Sequence, residues 1–313
     1  MTASDLPLSL RALLRGAVDY AGLFPPASLD MHGSVRRYAA YLAGAERWLL
    51  GRFVVSASRL DHFEQAIRAL ADHPSEPIAV SALIGAELNP EADVTRVVHL
   101  NSRWTDGGAH GRRAVVQALE TRAGTTAEIA RVLQWVPRGL TLFVEIPVTD
   151  DPRPLLEQLA AGGAHAKIRC GGTTPDYIPS TAEVARFIAT CIALGLPFKA
   201  TAGLHHAMRG CYPLTYDVHA ARAKMFGFLN VFFAATALHA GAIAPGDLGE
   251  VLEESSMESF RFDDDEMSWR SRVRVSTAAI DAARPAALLS IGSCSFTEPV
   301  DDLRAIGLGP ATP

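Results

Sequence analysis

Short apolar runs that alternate with stretches of helical spacing constrain this chain more than any feature of its composition. The runs cover 52–56, 77–84, 114–120, 141–147, 164–170, 197–203, 259–263 and 287–294. Most are β-branched or aromatic and are bounded by Gly or Pro, the pattern of buried parallel strands. Helical patterns lie between them at 60–72, 126–135, 152–161, 181–194, 217–244 and 299–306. Ser180 stands where a helix N-cap belongs, with Glu183 three residues on, and Gly195-Leu-Pro closes that helix. Eight candidate strands alternating with helices predict one (βα)8 barrel of the TIM type across residues 1–313. Residues 1–50 then read as an N-terminal helical cap or extension. The alternative is an open, doubly wound α/β sheet, although no GxGxxG follows the first run.

Charge narrows the partners. Residues 247–266 carry nine acids and one Arg, a local net of −8 against −5 for the whole chain, which leaves +3 elsewhere. Nucleic acid would need a basic face to release counterions, so none is expected as a partner. A mildly basic remainder suits a small anionic substrate. The segment 225–246 lacks formal charge, but its Asn230, His239 and many small residues predict a buried or interface helix rather than a membrane span. Residues 6–14, interrupted by Arg11, do not read as an export signal. Cys170, Cys191, Cys211 and Cys294 show no CxxC pairing and no metal-ligand rhythm, so reduced thiols in a cytoplasm are expected.

Lysine usage points to chemistry. Of 29 basic side chains only Lys167, Lys199 and Lys224 are lysine; the rest are arginine. Either residue serves on a solvated surface, whereas only lysine can shed its proton and act as a nucleophile or base. Side chains along a strand alternate, so Lys167 shares a face with Arg169, Lys199 with Thr201, and Glu145 with Phe143. If the three runs are neighbours, Glu145, Lys167, Arg169 and Lys199 converge at the carboxyl end of a barrel, where such enzymes work. Two ammonium groups on adjacent strands should repel, lowering the pKa of at least one and freeing an amine for imine chemistry. Glu145 is then the acid/base and Arg169 the anion clamp.

Two loops could supply backbone donors to an anion. Gly171, Gly172 and Thr173 follow the fifth run; Gly292, Ser293 and Ser295 lie at the end of the eighth, before the helical pattern from Pro299. His205 and His206 follow the sixth run and are candidates for substrate binding, catalysis or, with Glu145, a divalent metal. The acidic run 263–266 reads as a solvated loop, and Cys170 and Cys294 as small packing residues.

The segment Phe198-Lys-Ala-Thr-Ala-Gly203 resembles the sixth-strand signature of deoxyribose-phosphate aldolases, and Ile291-Gly-Ser-Cys-Ser295 is similar to that family's phosphate-binding turn after the last strand. The resemblance implies a class I aldolase in which Lys199 forms the Schiff base. That family's second lysine lies on its seventh strand in a Lys-Ala-Ser-Gly-Gly pattern; no such pattern follows Lys199, so Lys167 would have to replace it. The leading expectation is therefore a lyase without cofactor or bound metal, forming an imine between Lys199 and a small carbonyl compound that bears a carboxylate or phosphate. A second expectation is a metal-dependent lyase or isomerase with Lys167 and Lys199 as proton-transfer bases and His205 or His206 on the ion. A third is a non-catalytic scaffold that forms a homo-oligomer through the 225–246 helix.

Overall fold

Alternation along the strands decides what enters the barrel. In β4 (Ala114–Arg122), Ala118 and Glu120 face the same way as Ser81 and Leu83 of the neighbouring strand, and only Glu120 among them carries charge. The computed structural model, which describes residues 6–85, 90–105 and 113–309, closes eight parallel strands into one barrel. They are β1 (Val18–Tyr20), β2 (Leu50–Ser56), β3 (Ile78–Leu83), β4, β5 (Thr141–Glu145), β6 (His165–Arg169), β7 (Phe198–Thr201) and β13 (Leu288–Ser293). Each pairs with its neighbours in chain order, and β1 completes the ring against β13. Helices connect the strands, as a (βα)8 fold requires.

Seven of the eight apolar runs are barrel strands; the eighth strand is not the one the sequence suggests. The run 259–263 belongs instead to a three-stranded antiparallel sheet of β10 (Phe260–Phe262), β11 (Glu266–Trp269) and β12 (Val273–Ser276). The missing strand is β1, three residues long and inside the segment read as a cap. Its brevity hides it, because three residues cannot display a period of two. The strand count therefore shifts by one, which places Lys167 on the sixth barrel strand and Lys199 on the seventh.

The acidic run also finds a place. Asp263 Oδ1 accepts from the backbone N–H groups of Asp265 and Glu266, so it shapes the turn between β10 and β11. The helical reading of 217–244 is half right. A hairpin of β8 (Gly210–Pro213) and β9 (Arg222–Met225) comes first, and the helix runs from Phe228 to His239. Elsewhere the helix signals hold: Ser180 and Glu183 form a capping box at the start of Thr181–Ala193.

The helix Phe228–His239 is buried from Phe228 through Ala237 within its own chain. No helix among the described residues is long and apolar enough to cross a membrane. Asn230 and Phe233 are fully covered, so neither can be the contact face for a second copy that the scaffold reading needs. Asn230 is a buried polar group whose amide oxygen and both amide hydrogens are engaged. Its Oδ1 accepts from the Arg209 backbone N–H at 3.0 Å, and its Nδ2 donates to the carbonyls of Val251 and Glu254 at 2.8 and 2.7 Å. Replacing it leaves buried backbone groups unsatisfied at a cost of about 1–3 kcal/mol. Asn230→Ala should therefore lower the unfolding free energy by about 2–3 kcal/mol in urea titrations. An unchanged midpoint would mean that water replaces the amide without loss.

Candidate active site

The carboxyl ends of β4 through β7 carry Arg122, Glu145, Arg169 and Thr201 as their last residues, with Lys167 and Lys199 two positions deeper. Strand register sets the neighbours: Arg122 lies beside Glu145, Glu145 beside Lys167, Lys167 beside Lys199, and Lys199 beside Ser290. All the charged members border one pocket of about 610 Å³ at the barrel mouth. The convergence expected of Glu145, Lys167, Arg169 and Lys199 is present.

What separates the two lysines is carboxylate, which the sequence reading did not anticipate. Lys199 Nζ donates to Asp19 Oδ2 at 2.5 Å and to Glu120 Oε1 at 2.6 Å. Lys167 Nζ stands 2.8 Å from the other oxygen of Glu120 and 3.1 Å from Glu145 Oε2. Glu145 Oε1 in turn receives Arg169 Nε at 2.9 Å and lies 3.1 Å from Arg122 Nε. Anion and cation thus alternate across the floor as Asp19, Lys199, Glu120, Lys167, Glu145 and the two guanidiniums. Hydroxyl and amide donors fill the remaining lone pairs. Ser81 Oγ donates to Glu120 at 2.6 Å, Ser290 Oγ to Asp19 Oδ2 at 2.8 Å, and the Arg52 backbone N–H to Asp19 Oδ1 at 2.6 Å.

These neighbours reverse the expected electrostatics. Burial disfavours the Lys199 ammonium, but Asp19 and Glu120 outweigh it and raise its pKa above the ordinary lysine value. The same competition runs in the opposite sense at Glu120: burial opposes ionisation, and the two ammonium groups hold the carboxyl far below its usual range. Glu145 is likewise depressed, with Lys167, Arg169 and Arg122 overcoming its burial. Repulsion between amines is not the governing interaction. Glu145 is a fixed anion and a poor proton donor.

Glu120 is the residue that sequence reasoning missed, and Asp19 stood out there only with Tyr20, as a stretch that could reach over the mouth from the N-terminus. Glu120 had a usable signal, since it ends an apolar strand run two residues after Ala118, although an irregularity between Val116 and Ala118 breaks the phase before that. Asp19, flanked by Val18 and Tyr20, had almost none.

The loops depart from the anion-binding reading in detail. Gly172 and Thr173 border the pocket, whereas Gly171 packs on Gly203 so closely that an added Cβ would come within 2.7 Å of its Cα. Gly203 takes φ +68° and the preceding Ala202 φ +58°, a left-handed turn that lets β7 end against that glycine. Gly292 lies beside Thr201 on the wall, while Ser293 Oγ is engaged by His205 Nδ1 at 2.9 Å. Ser295 Oγ accepts from the Glu298 backbone N–H at the start of the helix Thr297–Ala305. Glu298 itself faces the pocket there, so a carboxylate stands where the last loop was expected to greet an anion.

The adjacent histidines diverge. His206 borders the pocket but stacks on Tyr212 with centroids 3.5 Å apart and pairs with Asp302. His205 turns to Ser293, with Cys294 beside it. Among the described residues no group of three or more His, Cys, Asp and Glu could hold a metal ion, so the pairing of these histidines with Glu145 is not formed. The four cysteines are free, and Lys224, the third lysine, pairs on the surface with Glu253.

No family model, curated protein or solved structure matches this chain.

Removing one member of a buried, hydrogen-bonded ion cluster leaves the others uncompensated, typically at about 3–5 kcal/mol. Glu120→Gln should destabilise the fold by an amount in the upper part of that range at neutral pH. The pH dependence has a definite sign. A depressed carboxyl stabilises the fold above its unfolded pKa of about 4.3, and this is lost as pH falls below that value towards the folded pKa. Wild type should therefore lose stability progressively below about pH 4, and Glu120→Gln should show a shallower acid limb in denaturant titrations. Parallel acid limbs would contradict the shared-carboxylate assignment.

Proposed function

We propose that this chain is a lyase that forms an imine between a floor lysine and a small anionic carbonyl compound. A closed (βα)8 barrel is a fold in which enzymes are common, and its chemistry sits at the mouth described above. The observation that carries the reading is the alternating row of carboxylates and amines under the pocket.

The row suits the reaction because the imine formed is also a cation. A lysine ammonium and a carbonyl compound give a protonated imine and water. Nitrogen sheds two protons, both of which end on the departing oxygen. Site charge is the same before and after, so carboxylates placed for the ammonium are equally placed for the iminium. In between, nitrogen passes one proton to the carbonyl oxygen as the carbinolamine forms and a second as water departs, while Glu120 stays anionic and holds the nitrogen in place.

The geometry favours Lys167 as the nucleophile rather than Lys199. Both contacts of Lys199 are shorter, it is more deeply covered, and its carboxylate partners raise its pKa. Lys167 has the longer contacts and stands beside Glu145. The resemblance to deoxyribose-phosphate aldolases divides between the two: its motif matches at Lys199, whereas by strand position the family's Schiff-base lysine, on the sixth strand, corresponds to Lys167, with Lys199 on the seventh. Arg122, mostly exposed at the rim, and Arg169 would hold the substrate's carboxylate or phosphate near Thr173.

Borohydride reduction in the presence of pyruvate, acetaldehyde, glyoxylate and dihydroxyacetone phosphate tests this. A reduced adduct is expected on the peptide carrying Lys167, absent in Lys167→Met and formed about 10²-fold more slowly in Lys199→Met, the low end for loss of a proton-transfer partner. An adduct on Lys199 would exchange the two roles. No adduct on either lysine with any of the four compounds would end the imine reading.

A further inference from the structure

The pocket has two chemically different walls. Arg122, Glu145, Lys167 and Arg169, from β4 to β6, form a wall of fixed charges. His205, Tyr216, Cys294 and Glu298, from the segments after β7 and β13, form the other. The charged wall has no group free to take a proton from carbon, since Glu145 is pinned by three cations.

The hydrogen bonds of His205 fix its tautomer. Ser293 Oγ donates its single proton to the Ser295 carbonyl at 2.6 Å, so towards His205 Nδ1 at 2.9 Å it can only accept. Nδ1 therefore carries the ring proton, and Nε2 presents a lone pair. Cys294 Sγ lies 3.9 Å from Nδ1 and 4.0 Å from Nε2, a long and weak sulfur contact to each. Among the described residues Nε2 has no oxygen or nitrogen partner. Glu298 Oε2 is 3.5 Å from Nδ1, a second contact on the same ring nitrogen.

We propose that His205, through Nε2, is the base that moves the proton on the carbon next to the imine, while Ser293 and Glu298 position it. This rests on the imine reading above. In the step, the C–H bond breaks and its proton goes to Nε2. The electron pair forms a carbon–carbon double bond, and the iminium π pair withdraws onto nitrogen, giving a neutral enamine. Reversal restores the starting state.

The surroundings suit a neutral base. Burial, with His206 adding to it, lowers the His205 pKa to about 4, so the ring is uncharged at neutral pH. The other titratable groups facing it also stay uncharged more readily than usual. Burial raises the Cys294 thiol and the Glu298 carboxyl, and Tyr216, 3.7 Å from Cys294 Sγ, is raised too.

The test separates imine formation from proton transfer. With full-length protein, pyruvate, acetaldehyde and dihydroxyacetone phosphate are each followed for deuterium uptake next to the carbonyl in D2O by NMR, alongside borohydride trapping. His205→Asn keeps an amide N–H near the position of Nδ1 and removes Nε2. Trapping by this variant should stay within about threefold of wild type, while deuterium uptake falls at least about 10²-fold. Ser293→Ala, which loses only the positioning contact, should slow uptake about tenfold and leave trapping unchanged, well below the 10²–10⁴-fold typical of a lost acid/base. Wild-type uptake in His205→Asn with trapping intact would overturn the proposal and leave the imine standing. Loss of trapping together with uptake in folded His205→Asn would also overturn it, making His205 a carbonyl-binding group. No trapping by wild type with any of the three compounds or with glyoxylate would overturn both readings.

Discussion

A single carboxylate shared by two ammonium groups, with almost no water to screen it, is the contact on which the mouth of this barrel depends. Glu120 is 2 % exposed and gives one oxygen to each lysine. Without it the two amines would face each other across neighbouring strands, as their register dictates. Burying so many charges costs several kcal/mol per ion, offset only where geometry is good and every lone pair is used. Ser81, Ser290 and the Arg52 amide supply those extra bonds. Such a cluster is poor value as a stabiliser compared with apolar packing, which makes a functional reason for it more persuasive than a structural one.

The same arrangement explains how far the chain could be read beforehand. Parity within strands correctly brought Glu145, Lys167, Arg169 and Lys199 to one mouth, because a two-residue period survives in a run of five. It could not reveal what lay across the barrel. Asp19 approaches Lys199 from a strand 180 positions away in sequence, and no local pattern encodes that meeting. Cations identified without their anions led to the wrong sign for the Lys199 pKa.

The strand count failed for a related reason. Phe260–Phe262 looks like a barrel strand since it is aromatic and flanked by polar residues, yet it pairs antiparallel with β11. Val18–Tyr20 is buried on every residue, but a fully buried triplet reads like any short apolar patch. Correcting that one count moved both lysines along the barrel and set the strand position of the aldolase resemblance against its motif, which matches at Lys199. His205 was rightly singled out, although its separation from His206 depends on Ser293 and Asp302, which lie far away in the chain.

Because β1 and β13 are paired, the ring closes only when residues from opposite ends of the polypeptide meet. During synthesis the first strand must wait, edge exposed, until the region around Ile291 has left the ribosome. Asp19 rides on that strand, so Lys199 gains its second carboxylate only at that moment. A nascent chain short of this point leaves Lys199 with only the carboxylate it shares with Lys167, an unbalanced interior that discourages premature compaction. Assembly of the chemistry and completion of the architecture are thus one event.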